Sequence, residues 1–348
     1  MARNMKGLKS LGLKKMQENG IPVPDFFVVQ YGEKIPPVDN NFKYAVRSSP
    51  FVSMAGILDS ILEVDGENIE NAVEKVFASW NSALAVKYRK FKNMPSEIAM
   101  EVIIQKIIYP TVDGGFSGIY HTVNPVTGIG DSGSYVDGEF AENLCLGSVE
   151  GLDIEILPFP LYLELYSYGY KLENLEGFPQ DIEFVYDGTK FWFVQNRPAQ
   201  LTDIAFFRWA FGQPNVKEVV EKYGKKFNVD NCIELVSADV DPIGRCLGVS
   251  GTILEGIVGE DIVILDGGNA KEFSAVQSNE NIILRKGNVD NHFAVEARKA
   301  KKNCVIWNVP EQFEGKYVWI EIQSGYIFDT KPLNPIFKNN IKNNLNNL

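Results

Sequence analysis

Two histidines occur in the chain, and one of them, His292, sits in a pattern suited to chemistry. The stretch runs Lys286-Gly287-Asn288-Val289-Asp290-Asn291-His292-Phe293-Ala294-Val295-Glu296-Ala297-Arg298. It reads as a polar turn with a glycine, then Asp290 or Asn291 as an N-cap, then a helix with small residues on one face. His292 falls in the first turn of that helix. The free N–H groups and the positive end of the dipole favour negative charge there and disfavour imidazolium. A ring kept neutral in this way stays nucleophilic and suited to accepting a phosphoryl group. The plain alternative is a capping or surface histidine.

A second set of candidates lies in the amino-terminal half. Lys9 in a first helical turn and Arg47 near the end of a strand offer a point charge and a fork to a polyphosphate. Asp181 and Glu183 alternate, so a strand puts both on one side. Carboxylates held that close repel unless a cation lies between them, and Mg²⁺ bridging phosphate oxygens is the natural occupant. Gln195 and Arg197 repeat the alternation on the next strand. A loop of odd length, such as Asp187-Gly188-Thr189, or a bulge would bring Gln195 to the face of Asp181 and Glu183.

The elements that must hold these residues can be read coarsely. A helix over Lys9 to Asn19 ends at Gly20, and Pro22 and Pro24 lead into the strand Phe26-Phe27-Val28-Val29. Ile69, Val73, Val76, Phe77, Trp80, Leu84 and Val86 have helical spacing over 67–92, with Trp80 a core residue. Strand patterns recur at Glu101–Ile108, Gly118–Val123, Asp181–Tyr186 and Lys190–Gln195. From 203 to 226 the pattern is helical, a connector and not a flexible linker. Further β-type runs follow at Thr252–Ile257, Ile262–Leu265 and Tyr317–Ile322. The Asn-rich end is expected to fray.

Several motifs resemble the pyruvate phosphate dikinase and phosphoenolpyruvate synthase family. Gly287, His292, Ala294, Ala297 and Arg298 match its phosphohistidine string, with Asn288 for a second Gly and Asp290-Asn291 for Thr-Ser. Tyr44-Ala45-Val46-Arg47-Ser48-Ser49 resembles its Ala-Val-Arg-Ser-Ser strand, and Ser53-Met54-Ala55-Gly56-Ile57-Leu58-Asp59-Ser60 its Ser-Met-Pro-Gly loop. Ser117-Gly118-Ile119 through Thr127-Gly128 is similar to a further block, with Val123 where Arg is usual. Asp181-Ile182-Glu183-Phe184 and Val194-Gln195-Asn196-Arg197-Pro198 resemble two more, and Gly138-Glu139-Phe140 another.

The resemblance implies an α+β (mixed α/β) chain, with an ATP-grasp domain followed by a smaller β/α phosphohistidine (swivelling) domain. The expected boundaries are an ATP-grasp domain at 1–203, a helical connector at 204–235, a phosphohistidine domain at 236–332 and a disordered tail at 333–348. It implies that ATP and Mg²⁺ are used and that His292 relays a phosphoryl group, with AMP and phosphate released. Catalytic roles fall to His292 and Arg47. Nucleotide contacts fall to Lys9, Arg47, Gly56, Ser60, Gln105, Glu183, Gln195 and Arg197, and metal contacts to Asp181 and Glu183. His121 stands where the family has Phe, which favours packing. The family's TIM-barrel domain for pyruvate has no counterpart in the sequence, so the acceptor is an unidentified small molecule or protein. The rival expectations are a degenerate nucleotide-binding regulatory protein and a kinase acting on a protein partner.

Composition sets outer bounds. The 348 residues suffice for about two domains. The balance of 34 basic against 45 acidic residues, net −11, disfavours nucleic acid or an anionic membrane as partner. Cys145, Cys232, Cys246 and Cys304 lack metal-type spacing and read as reduced thiols. The first residues lack the apolar core of a signal peptide, and the apolar stretch Ile156 to Tyr166 is broken by Pro158, Pro160 and Glu164. A cytoplasmic protein is the expectation.

Overall fold

The computed structural model describes residues 7–345 apart from 53, 55–56, 92, 95, 111–113, 146–147, 267–271 and 290. Gly56 and Asp290 therefore lie outside the described residues. The architecture is mixed α+β. The chain divides into two compact units, one of Met1–Gly118, Asp137–Ala141 and Ile182–Arg197, the other of Ile119–Val136, Glu142–Asp181 and Pro198–Leu348.

The first half runs α1 (Leu8–Glu18), β1 (Phe26–Gln30), β2 (Lys43–Pro50), β3 (Ser60–Asp65), α2 (Ile69–Ser79), α3 (Ala83–Phe91), β4 (Met100–Lys106) and β5 (Phe116–His121). There follow β6 (Ser132–Asp137), α4 (Ala141–Cys145), β7 (Leu152–Asp153), α5 (Phe159–Glu176), β8 (Gln180–Tyr186) and β9 (Phe191–Pro198). One sheet has the order β1-β4-β2-β3 and a second the order β7-β6-β5-β8-β9.

In the first unit Met16, Val46, Val76, Trp80, Val102 and Ile104 are fully buried and form its core. The helical pattern over 67–92 resolves into two helices and not one. Trp80 closes α2, and the Ser82 hydroxyl accepts the Ala85 N–H, which starts α3 afresh. Trp80 is core, as its spacing predicts; its indole N–H donates to the Ser96 carbonyl at 3.1 Å and Arg89 covers its ring at 4.4 Å.

The second half runs α6 (Asp203–Phe211), α7 (Val216–Tyr223), β10 (Glu234–Ser237), β11 (Gly244–Arg245), β12 (Leu247–Ser250), β13 (Ile253–Ile257) and β14 (Val263–Leu265). It continues with α8 (Phe273–Ser278), β15 (Asn281–Leu284), α9 (His292–Lys299), β16 (Asn303–Ile306), β17 (Tyr317–Glu321), β18 (Tyr326–Phe328), β19 (Ile336–Lys338) and α10 (Asn340–Leu345). Two four-stranded sheets, β11-β18-β17-β13 and β12-β16-β15-β14, enclose a core of Leu254, Ile262, Ile283, Val305, Val318 and Ile320. The β14-β15-β16 pairs are parallel, and α9 is the crossover between β15 and β16.

Helices α6 and α7 pack around Phe206, Phe207 and Trp209. Within the Asn-rich tail, where fraying was expected, the described residues form β19 and α10. β19 pairs with β10, and Ile341 of α10 is buried in the Phe206 core, so a few apolar side chains outweigh the surrounding asparagines.

Candidate functional site

The site in the first unit starts from strand register. Arg47 lies opposite Ile103, Ser49 opposite Glu101 and Ala45 opposite Gln105, while Arg47 faces Ser60 across β3. Opposed residues share a face and side chains alternate, so Arg47, Ser49, Ser60, Glu101 and Gln105 project to one side of the sheet. Helix α1 is fastened to that side. The Gly7 N–H donates to Glu101 Oε2 at 2.9 Å, the Ser10 N–H donates to Ser49 Oγ at 3.0 Å, and the Ser10 hydroxyl donates to the same Glu101 carboxylate. A Cβ at Gly7 would stand 2.2 Å from Ser49 O, so only glycine admits this approach. The buried Glu101 charge thus rests on the N-terminal donors of α1. Lys9, half-buried, belongs to the turn so anchored.

The hairpin of β8 and β9 adds the other side chains. Arg47 Nη1 is 3.6 Å from Glu183 Oε2, and Gln195 Nε2 donates to Glu183 Oε1 at 2.7 Å. One carboxylate thereby orients a guanidinium and an amide, with both charged groups only about one-fifth exposed. The expected turn was an odd-length loop or a bulge that brings Gln195 to the face of Glu183. The Asp187 N–H donates to Lys190 O, leaving Gly188, at φ 90°, and Thr189 between them. Asp187 Oδ1 takes the N–H groups of both Thr189 and Lys190, which fixes the turn. Further along β9 the Phe193 N–H donates to Pro22 O. Gln195 and Glu183 meet on one face.

Gln105 is buried, and its Nε2 has no hydrogen-bond partner among the described residues. A buried amide donor left unmade costs about 1–3 kcal/mol, and an acceptor on a bound molecule would remove that cost. Arg197, half-buried, follows Gln195 on the same face of β9. Ser60 is exposed. Glu139 is exposed, and its carbonyl accepts the Ser117 hydroxyl at 2.5 Å.

In the other unit, Asp181 is buried, with Oδ1 4.0 Å from His121 Nδ1. His121 is buried too. No group of three or more His, Cys, Asp or Glu able to hold a metal occurs among the described residues. Mg²⁺ commonly takes only one or two carboxylates, with phosphate oxygens and water completing its shell, so this donor set is compatible with it.

His292 is the first residue of α9 and half-buried. The N-cap is Asn291, whose side chain accepts the Phe293 N–H at 2.8 Å. Gly287, at φ 110°, supplies the left-handed turn before it, and a Cβ there would stand 3.1 Å from Asn291 Nδ2. Ala294 and Ala297 are fully buried. Asn288 Nδ2 donates to Ser134 Oγ at 3.3 Å, and Arg298 Nε donates to Gln200 O at 2.9 Å.

The structure therefore brings Arg47, Glu183 and Gln195 together and sets Gln105 and Ser60 on the sheet face that carries Arg47. His292 and Asp181 belong to the other unit. Sequence reasoning missed Glu101, although a charged residue in phase with Gln105 on the apolar run Met100-Glu101-Val102-Ile103-Ile104-Gln105 was a visible signal.

Residues 30–153 match the family model described as pyruvate phosphate dikinase, AMP/ATP-binding domain. The pyruvate, phosphate dikinase of Rickettsia prowazekii is 22% identical over 269 residues, covering 69% of this chain and 31% of that protein. The phosphoenolpyruvate synthase of Aeropyrum pernix is 41% identical over 96 residues, covering 25% of this chain and 11% of that protein. These matches show relatedness to the pyruvate phosphate dikinase and phosphoenolpyruvate synthase family. The chain spans about a third of the length of the dikinase it matches. Among solved structures, an L-amino acid ligase from Bacillus licheniformis is similar over 72% of this chain and 58% of that one, at 13% identity and TM-score 0.37. A D-alanine–D-alanine ligase from Bacillus anthracis complexed with ATP is similar over 57% of each chain, at 13% identity and TM-score 0.34.

Proposed function

We propose that the chain is an ATP-dependent phosphotransferase of the ATP-grasp type, working through phospho-His292. The observation that carries the reading is the Arg47–Glu183–Gln195 cluster, with the unmatched Gln105 donor on the same sheet face as Arg47. Arg47 and Lys9 clamp the phosphates, Gln105 donates to the nucleotide, and Glu183 would hold Mg²⁺. Asp181, two residues earlier on the same strand face, is the second proposed metal ligand. Ser60, Arg197 and the Gly56 loop complete the nucleotide contacts.

Bound Mg²⁺ would neutralise charge on the phosphates and keep them in line. A His292 ring nitrogen attacks the β-phosphorus and the bond to the α-phosphate oxygen breaks, with AMP leaving. Water takes the γ-phosphoryl group as phosphate. The remaining phosphoryl group then passes from His292 to an acceptor, either a small molecule or a protein. Splitting the transfer through a covalent intermediate exchanges one difficult step for two easier ones. The relay requires α9 to visit both sites in turn, the swivelling role expected of its domain.

The test is incubation with Mg²⁺ and ATP labelled in the β-phosphoryl group, followed by measurement of acid-labile label on the chain. Label that is absent from His292→Ala supports the relay. ATP binding without label in the wild type would overturn it in favour of a nucleotide-binding regulatory protein or of γ-transfer to a protein partner.

A further inference from the structure

Helix α1 meets both walls of the Arg47 site with bare backbone. At its start a Cβ on Gly7 would stand 2.2 Å from Ser49 O of β2. That approach is closed by backbone and by the Glu101 tie, so α1 moves with β2. Further along, a Cβ on Gly12 would stand 2.3 Å from Asn196 Oδ1 of β9, with Asn196 O at 3.2 Å. A glycine in mid-helix weakens the helix relative to alanine, and this close approach is a reason to keep one there. Asn196 is 5% exposed, and Gln195 and Arg197 project from the other face of β9. Its carboxamide therefore fills the space between helix and strand. Beyond α1 the chain meets β9 again, where the Phe193 N–H donates to Pro22 O at 2.8 Å. Gln195 lies between these two contacts, its amide 2.7 Å from the Glu183 carboxylate that faces Arg47 at 3.6 Å.

We propose that Asn196 is a positioning residue for the phosphate clamp. Its carboxamide, packed on the bare backbone of Gly12, sets how far β9 stands from the wall that carries Lys9 and Arg47. Gln195 and Arg197 travel with β9, so Asn196 acts through the strand it spaces and not by touching the nucleotide. This role rests on the nucleotide reading above and adds a residue which that reading does not use. Spacing matters because charge-assisted bonds to a phosphate hold their donors at about 2.7–2.9 Å, so a small outward shift of one wall breaks contacts and makes none. The Arg47–Glu183 pair, which spans the same gap, would lengthen with it. Only glycine at position 12 leaves room for the carboxamide. A shorter side chain at 196 leaves a void, and a longer one drives the strand outward.

Calorimetric titration of the whole chain with ATP and Mg²⁺, and separately with adenosine, tests it. Gly12→Ala and Asn196→Gln crowd the contact from opposite sides. Each should weaken ATP binding roughly tenfold and adenosine binding by less than about twofold, because only the phosphates are gripped across the gap. Asn196→Gln leaves α1 unaltered, which keeps the test open if Gly12→Ala does not fold. Joining Gly12→Ala to Asn196→Ser returns the room and should restore ATP affinity to within about threefold of the wild type. Equal losses for ATP and adenosine, in step with a lower urea midpoint, would show a purely structural contact and overturn the role. Unchanged ATP affinity in both crowded variants, or a double variant no better than Gly12→Ala, would overturn it as well. A wild-type chain that binds no ATP would overturn the nucleotide reading itself, a failure seen before any variant is made.

Discussion

Arg47 and Glu183, far apart in sequence, stand 3.6 Å apart, and the Gln195 amide holds the second oxygen of the same carboxylate at 2.7 Å. The pair aims a guanidinium fork while leaving it donors to spare. Replacing Glu183 by Gln keeps the shape and removes the charge. Without Mg²⁺, Glu183→Gln is expected to bind ATP more tightly than the wild type, since one repelling charge is gone. With Mg²⁺ it should bind roughly tenfold more weakly, the scale of one lost charge-assisted contact. Calorimetric titration with and without Mg²⁺ checks the crossing, and equal effects in both conditions would refute a metal role for Glu183.

Gln105 gives opposite signs in two assays. Its buried Nε2 is unmatched, so Gln105→Met should raise the stability of the ligand-free chain by about 1 kcal/mol. The same change should shrink the rise in melting temperature that ATP produces. A variant less stable than the wild type without ligand would show that the amide is already satisfied.

Glu101 ties α1 to the sheet through two donors, the Gly7 N–H and the Ser10 hydroxyl. Glu101→Ala leaves those buried groups unmatched and should cost about 2–3 kcal/mol in urea unfolding. Because the Lys9 turn is fastened by the same bonds, affinity for ATP should fall with it. Lys9→Ala should lower affinity while leaving stability close to that of the wild type.

Much of this arrangement was legible because short-range rules govern it. The cap ahead of His292, the strand carrying Gln105 and the helix stop at Gly20 follow from neighbours a few residues apart. The break at Trp80–Ser82 was not legible, since Ser82 acts as a cap only after Trp80 has turned into the core. Nor was the Arg47–Glu183 contact visible in the residues themselves. Two charges far apart in sequence carry no local sign that a hairpin will bring them together. The tail reads as polar from its composition, yet Ile341 and Leu345 reach the apolar core around Phe206.

Asp187 makes the β8–β9 turn sensitive to acid. Partial burial pushes its carboxyl up, but donors from Thr189, Trp192 and Lys190 outweigh that and hold it at about 2, against an ordinary 3.8. A depressed carboxyl stabilises the fold fully above its unfolded value and loses that contribution as pH falls toward its folded value. Asp187→Asn should therefore be less stable than the wild type at neutral pH. The gap should hold down to about pH 4 and close between there and about pH 2. Urea midpoints of the two chains measured across that range check the sign. A gap that widened on acidification would mean that Asp187 opposes the turn. Because the same turn carries β9 back along β8, loosening it at neutral pH should also weaken the Gln195–Glu183 contact and, through Glu183, the aim of Arg47.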